Sequence, residues 1–206
     1  MRRRKTGYIL LALLVITGFA GTYHNTLSTK ERKTAISYLK ETKASFLNSI
    51  RGLSNAQLDF IPASGKWSIR QCMDHVIRTE KAITFVAIKN LEQPSNPVQR
   101  KNVIIKDEEI IDAITDCSQN AMNTEFLQPV MTSFTTTGSD LNEFKLLREE
   151  NISFLKTTTA DLRNHFLQYP AFGVIDNYQF LLMMAAHTQK YTQQIEEIKS
   201  IPGFPE

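Results

Sequence analysis

Four long stretches of the chain carry apolar residues at intervals of three and four, the spacing of a helix with one buried face. The first opens on Ser28 with Glu31 three residues further on, a capping-box pattern for a helix N-terminus. No stretch alternates apolar and polar residues for long enough to predict a sheet. We therefore expect an all-α fold, a four-helix bundle with helices over 28–51, 68–91, 139–167 and 176–200.

A long crossover separates the second and third helices of this bundle. It contains a shorter predicted helix over 107–121, capped by Asp107, and a polar stretch over 122–138 that includes Pro129. Three threonines stand together in that stretch, and threonine is a poor helix former, so we expect irregular chain there. Bundles with a long crossover often hold ligand or metal sites between facing helices.

The N-terminus has a pattern of its own. Residues 2–5 are basic, and residues 8–20 form a weakly polar to apolar stretch. As a helix its 13 residues would span about 20 Å, whereas the hydrocarbon core of a bilayer is about 30 Å thick. This favours a signal peptide over 1–20 that is cleaved after Ala20, with a retained membrane anchor as the alternative.

Either alternative places the folded domain outside the cytoplasm, because the basic residues precede the apolar stretch. We therefore expect an exported protein, periplasmic or extracellular, that touches a membrane only through this segment if it is uncleaved. An exposed segment over 21–27 then leads into one domain over 28–206.

The positive charge of the chain belongs mainly to that leader. The sequence has 24 Lys and Arg against 21 Asp and Glu, and setting aside residues 2–5 leaves 20 against 21. A nucleic-acid-binding protein needs a basic face that neutralises several phosphates. No run of basic residues follows residue 5, so we expect no nucleic-acid partner.

The chain has two cysteines, Cys72 and Cys117, too few for a disulfide scaffold or a four-thiolate zinc site. Both fall on inward faces of predicted helices. A disulfide between them is compatible with export, and so are two buried free thiols. The sequence leaves these two alternatives open.

Two of the four histidines are candidates for chemistry. His75 lies beside Val76, at the edge of the buried stripe of the second helix. His187 shares one face of the last helix with Tyr191, four residues on, and Gln194, seven residues on. Facing helices can bring such side chains together at a metal, although a lone inward histidine more often hydrogen-bonds inside a core.

The other two histidines are given no chemical role. His24 precedes the bundle and has no partner near it in sequence. His165 is predicted at the surface, in the last turn of the helix over 139–167, where a cation is favoured by the helix dipole.

At this point the chain resembles the DinB-like superfamily of damage-inducible bundle proteins. The start of the second helix, Trp67-Ser68 followed by His75, is similar to the family signature W-S-x-x-[EQ]-x-x-x-H. The resemblance covers roughly residues 30–206. Its C-terminal half matches in order at Asp161-Leu-Arg-Asn-His165, Pro170-x-Phe-Gly173, Asp176-x-Tyr178-Gln179, Ala185-Ala-His187-Thr188, Gln194-Ile195 and Pro202-Gly-Phe-Pro205.

The resemblance implies a divalent metal, Zn²⁺ or Ni²⁺, held by three histidines. One lies on the second helix and two lie on the last helix in the pattern H-x-x-x-H. These positions fall on His75, His187 and Tyr191, so the third ligand is a phenol here. A phenol has a reference pKa of about 10, and ionising it at pH 7 costs roughly 4 kcal/mol unless a bound cation lowers that pKa. Trp67 and Gln194 are the expected pocket residues.

Two functions follow as hypotheses. Members of the family include thiol transferases and metal-dependent hydrolases. Low-molecular-weight thiols are kept reduced in the cytosol, so export favours hydrolysis of a small molecule. The alternative is a non-catalytic binding or interaction module that has lost its metal. Nothing in the spacing of Glu80, Glu149 and Glu150 selects a general base. The oligomeric state stays open, with a homodimer the commonest soluble assembly.

Overall fold

The computed structural model describes residues 26–116 and 138–206. The signal or anchor over 1–20, most of the segments over 21–27 and 122–138, and Cys117 lie outside the described residues, so those expectations stay predictions. Within the described residues, no helix combines the length and the apolar content needed to cross a bilayer.

Six α-helices, one 3₁₀-helix and two short strands make up the described chain. In order they are α1 (Thr29–Ser49), α2 (Asn55–Asp59), α3 (Ile69–Leu91), the 3₁₀-helix (Pro97–Asn102), α4 (Asp107–Thr115), α5 (Gly138–Thr157), β1 (Phe166–Tyr169), β2 (Gly173–Asp176) and α6 (Asn177–Lys199). The four long helices α1, α3, α5 and α6 are those that the apolar spacing predicts.

Side-chain caps fix where these helices begin. The Ser28, Ser68 and Asp176 side chains each accept a hydrogen bond from the backbone N–H three residues on, and each forms a complete capping box. Such caps satisfy backbone donors that the first helical turn leaves without a partner. The starts of α1, α3 and α6 are therefore set locally, which fixes how many turns into each helix a later side chain falls.

α6 is the central helix of the bundle. It packs against α1, α3 and α4, while α5 packs against α1 and α3. Every residue over 177–188 is buried, as expected for a helix that is surrounded by others rather than facing solvent on one side. His187 therefore lies at the end of the fully enclosed part of α6.

The structure corrects the predicted helix over 139–167 and the expectation of no sheet. α5 ends at Thr157, and β1 and β2 then form an antiparallel hairpin in which Phe166 pairs with Asp176. Gly173 in the hairpin has a φ of 71°, a left-handed value that glycine adopts without strain. Each strand has only four residues, too few for a period-two pattern to stand out in the sequence.

The connection between α3 and α5 also differs in detail from the prediction. α4 ends at Thr115 rather than at 121, and Asp107 is its first helical residue rather than its cap. The 3₁₀-helix before it was not predicted at all. Such a short helix, opened by Pro97, leaves no 3.6-residue period to detect.

One buried guanidinium links the four long helices. Arg148 of α5 is fully buried and donates at 2.7 and 2.6 Å to the two carboxylate oxygens of Glu80 on α3. It also donates to the Leu39 carbonyl and the Thr42 hydroxyl on α1, and to the Thr188 hydroxyl on α6. All five N–H donors are used, so this ion pair fixes the spacing of the helices around it.

Candidate functional site

Four aromatic rings from α3, α6 and the turn before α3 meet between the two helices. The ring centres of His75 and His187 are 4.9 Å apart. The Tyr191 ring lies 4.5 Å from that of His75 and 5.0 Å from that of His187. Trp67 stacks on Tyr191 at 5.6 Å and meets His75 edge-on at 5.2 Å. Gln194 lies one turn further along α6 and is not part of this ring cluster.

Local sequence explains why these rings face one another. The Ser68 cap starts α3 at Ile69, so His75 falls in the second turn of that helix, and Trp67 sits immediately before the cap. His187 and Tyr191 are four residues apart on α6 and therefore share one face. The same face of α6 packs against α3, which brings the two histidines together.

Two ring nitrogens in this cluster lack a hydrogen-bond partner. His75 Nε2 and His187 Nδ1 are both buried, and neither meets a donor or acceptor in the described part of the chain. Leaving a buried polar atom unsatisfied costs about 1–3 kcal/mol. Two such atoms on neighbouring rings therefore indicate a place where a ligand adds binding energy that the protein alone does not supply.

Burial keeps both imidazoles neutral. It lowers the pKa of His75 to about 4, with a smaller contribution from the positive charge of Lys190. Burial also lowers the pKa of His187 well below its ordinary value, and the charges of His75 and Lys190 add to the effect. A neutral imidazole is the form of histidine that binds metals. At pH 7 both rings are therefore ready to act as ligands without losing a proton.

Burial has the opposite consequence for the other two groups. It raises the pKa of the Tyr191 phenol, helped by the nearby Cys72. It also raises the pKa of the Cys72 thiol to about 12, so this thiol is protonated and unreactive at pH 7. Without a bound cation, Tyr191 keeps its proton, and its hydroxyl is able to donate a hydrogen bond.

The residues present fit a divalent cation with two strong ligands and one weak one. Two imidazoles that share a zinc ion at bond lengths of about 2.0–2.1 Å hold their ring centres on the order of 5 Å apart, close to the 4.9 Å found between His75 and His187. Within 26–116 and 138–206, no group of three His, Cys, Asp or Glu residues is placed to hold a metal. Tyr191 is therefore the third donor that these rings offer.

The three glutamates among which the sequence selects no general base have other partners or line other surfaces than the ring cluster. Glu80 is committed to Arg148, and Glu149 pairs with Lys43 at 2.6 Å on the surface. Glu150 lines a separate groove of about 420 Å³ between α3 and α5. The lining of this groove includes Phe85 and contains neither His75 nor His187. No general base emerges from these three positions.

Two features of the structure were missed or wrongly placed by sequence reasoning. The buried pair of Arg148 and Glu80 gave no signal, because charged residues at helical spacing are usually on the surface. His165 is not a surface residue of a helix, since it is 8% exposed and lies in the turn before β1. The sequence signal that could have indicated a structural role for His165 was its position at the end of the family motif over 161–165.

Comparison with known proteins places the chain in a family. Residues 38–195 match the family model of the DinB superfamily, more than half of the chain. The chain therefore belongs to the DinB superfamily, which confirms the resemblance seen in its motifs. A relative in Bacillus subtilis (strain 168), the uncharacterized protein YuaE, is 23% identical over 164 residues, which are 80% of this chain and 96% of YuaE.

A solved structure supports the same fold. YfiT from Bacillus subtilis superposes with a TM-score of 0.58 at 16% identity, over 87% of this chain and 92% of YfiT. That protein is described as "a probable metal-dependent hydrolase with an unusual four-helix bundle topology". At this level of identity the likeness shows a shared four-helix bundle, and the description applies to YfiT.

Proposed function

We propose that this chain is a metal-dependent hydrolase of a small molecule. His75 and His187 hold a divalent cation, Zn²⁺ or Ni²⁺, and Tyr191 is a weaker third ligand. The observation that carries the proposal is a pair of buried ring nitrogens that find no hydrogen-bond partner among the described residues, on imidazoles whose centres are 4.9 Å apart. Membership of the DinB superfamily and the description of YfiT support it.

A cation bound at an open coordination position supplies a polarised water or substrate oxygen at neutral pH. The chain's own groups set up that position. Burial keeps the two imidazoles unprotonated, while Trp67 stacks on one face of Tyr191. The buried phenol, which holds its proton, is available to donate a hydrogen bond to an oxygen atom of a bound molecule.

Two observations favour a second function. No third His, Cys, Asp or Glu joins the imidazoles within the described residues, and the pKa of Tyr191 is raised rather than lowered. A DinB-type bundle with this departure is also suited to bind a small molecule at the ring cluster without catalysing a reaction on it. In both cases we propose that the domain acts outside the cytoplasm, because of the N-terminal pattern of the sequence.

Metal content tests the first proposal directly. The full-length protein, purified without a histidine tag or chelator, is dialysed against Zn²⁺ or Ni²⁺ at pH 7.5 and analysed by mass spectrometry of metals. We expect about one equivalent in the wild type and a large loss in His75→Gln. His24→Gln is the matched control, since it removes a histidine that precedes the bundle.

The outcomes separate the two functions. Retention of metal by His24→Gln but not by His75→Gln supports the metal site. A folded wild-type protein that takes up neither cation rules out the metal-dependent hydrolase and leaves the binding module. Circular dichroism of each variant shows whether a loss of metal reflects a loss of fold.

A further inference from the structure

Another buried histidine, at the opposite end of the bundle, is bonded on both sides of its ring. His165 Nδ1 lies 2.7 Å from the backbone carbonyl oxygen of Asp161. His165 Nε2 lies 2.9 Å from the backbone carbonyl oxygen of Gln93, just beyond the C-terminus of α3. His75 is near the N-terminus of the same helix, so the two sites are separated by most of the length of α3.

The chemistry of these partners decides which ring nitrogens must carry a proton for both contacts to be hydrogen bonds. A carbonyl oxygen only accepts hydrogen bonds, and a neutral imidazole has one N–H donor and one acceptor nitrogen. Two carbonyl partners therefore need both nitrogens to carry a proton. Neither partner can be reassigned as a donor, since a backbone carbonyl has no flipped alternative of the kind found in Asn and Gln side chains.

We propose that His165 is a buried imidazolium in the native protein at neutral pH, and that its proton clamps the end of α3 to the turn before β1. The ring bridges two segments 72 positions apart in sequence. The backbone of the same turn holds two more segments. The Asn96 N–H donates at 2.8 Å to the Asn164 carbonyl, and the Asn177 N–H donates at 2.9 Å to the His165 carbonyl.

The charges around the clamp are compatible with a cation. On its own turn, the Asp161 carboxylate is buried, its Oδ2 accepts from Asn164, and its Oδ1 has no hydrogen-bond partner within the described residues. Asp161 forms none of the ion pairs seen among the described residues.

The other charged groups of the neighbouring segments are already paired, apart from Lys101, which is exposed on the 3₁₀-helix. Lys89 and Glu92 at the end of α3 bind each other. Arg163 on the same turn binds Glu31, Asp107 and Asp176, and Arg100 of the 3₁₀-helix also binds Asp176. The charged groups on the packed segments are thus Lys89, Glu92, Arg100, Lys101, Asp161, Arg163 and Asp176.

A proton-dependent clamp follows from these contacts. Removing the proton leaves one buried carbonyl facing a nitrogen lone pair, so the native state at this site holds a proton that an unfolded histidine releases above about pH 6.5. Stability supplied by a proton bound in the folded state is present in acid and is lost as pH rises. The hydrogen bond between the His165 ring and the end of α3 is therefore weakened in alkaline solution, while the backbone bond from Asn96 to Asn164 remains.

The protonation state can be read directly by nitrogen-15 NMR of the histidine rings in the full-length protein at pH 7.5. An ordinary histidine is about one-tenth protonated at that pH. We expect signals from two protonated ring nitrogens for His165 and for no other histidine. The His165→Gln variant assigns them, and if it does not fold, His24→Gln, His75→Gln and His187→Gln assign them by elimination.

A second measurement follows the clamp rather than the ring. The difference in melting temperature between the wild type and His165→Gln should shrink from pH 6 to pH 9, whereas His24→Gln should match the wild type throughout. One protonated nitrogen on His165 at pH 7.5, or a melting-temperature difference that does not shrink with pH, overturns the proposal. Metal content does not enter either readout, so a failure here is distinct from a failure of the metal site.

Discussion

Two regions with buried histidines lie at opposite ends of α3, and they differ in the hydrogen-bond partners of the ring nitrogens. At the N-terminal end, His75 and His187 face other rings, and each has a buried nitrogen with no partner in the described chain. At the C-terminal end, both nitrogens of His165 face carbonyl oxygens. The degree of burial is similar, between 4% and 8% exposed, so burial alone does not decide the charge.

The comparison teaches that hydrogen-bond partners distinguish a binding histidine from a structural one. Aromatic neighbours bury an imidazole without offering hydrogen-bond acceptors, so burial keeps the ring neutral and a nitrogen stays free to bind a ligand. Two carbonyl neighbours occupy both nitrogens and favour the charged form. The first arrangement suits a site that takes up something from outside. The second suits a fixed part of the fold.

The largest expected effect comes from breaking the ion pair that lies between these two regions. Arg148→Met leaves the fully buried carboxylate of Glu80 without its cation, and removing one partner of a buried pair typically costs about 3–5 kcal/mol. Urea unfolding followed by circular dichroism measures this loss. Both histidine regions should be disturbed together, because the guanidinium contacts α1, α3 and α6.

An exposed pair provides the matched control. Lys43→Met removes the cation beside Glu149, which is largely exposed, and exposed pairs are worth about 0.2–1 kcal/mol. An Arg148→Met variant no less stable than Lys43→Met would contradict the role given to the buried pair. Replacing both Arg148 and Glu80 by leucine should recover much of the loss, since apolar replacements of buried pairs are often neutral.

The next largest expected effect tests the neutral state of His75, which is opposite to the charged state that we propose for His165. His75 has a pKa of about 4 in the native state because it is buried, whereas an unfolded histidine takes up a proton near pH 6.5. The unfolded chain then binds more protons, so stability falls as pH is lowered from about 6.5 to 4. The loss contributed by His75 should be about 3 kcal/mol, because the two pKa values differ by about 2.5 units.

Denaturant unfolding of the metal-free protein across this pH range checks the prediction. His75→Gln should flatten the acid side of the profile, while His24→Gln should leave it unchanged. A profile with the same acid slope in His75→Gln would show that the ring is not held neutral. The slope is opposite in sign to the one that His165 contributes in alkali, so the two histidine regions can be tested in one protein.

The four long helices could be predicted because their signals are local. Capping residues such as Ser28, Ser68 and Asp176 act within one turn, and apolar spacing records which side of a helix is covered. The hairpin of β1 and β2 could not, since four-residue strands carry too little pattern. The prediction that the helix continues to 167 then placed His165 on the surface, and the structure shows that this was wrong.

The candidate site could be predicted only in part. The family motif nominated His75, His187 and Tyr191, and the structure brings their rings into contact, while their role as metal ligands stays a prediction. Their missing hydrogen-bond partners could not be read from the sequence, because satisfaction depends on every neighbour in three dimensions. The Arg148 ion pair was equally invisible, since its partners come from three other helices.

The smallest expected effect concerns the third ligand at the ring cluster. Tyr191→His replaces a phenol whose pKa is raised by burial with an imidazole that binds a cation without losing a proton. We expect Zn²⁺ affinity to rise about tenfold or more, equivalent to roughly 1.4 kcal/mol, measured by competition with a chromogenic chelator. Tyr191→Phe is the matched variant, because it removes the hydroxyl without adding a ligand. If the phenol is a weak ligand, Tyr191→Phe should lower the Zn²⁺ affinity by less than about tenfold. A Tyr191→His variant with unchanged Zn²⁺ affinity would show that this position of α6 does not face the cation.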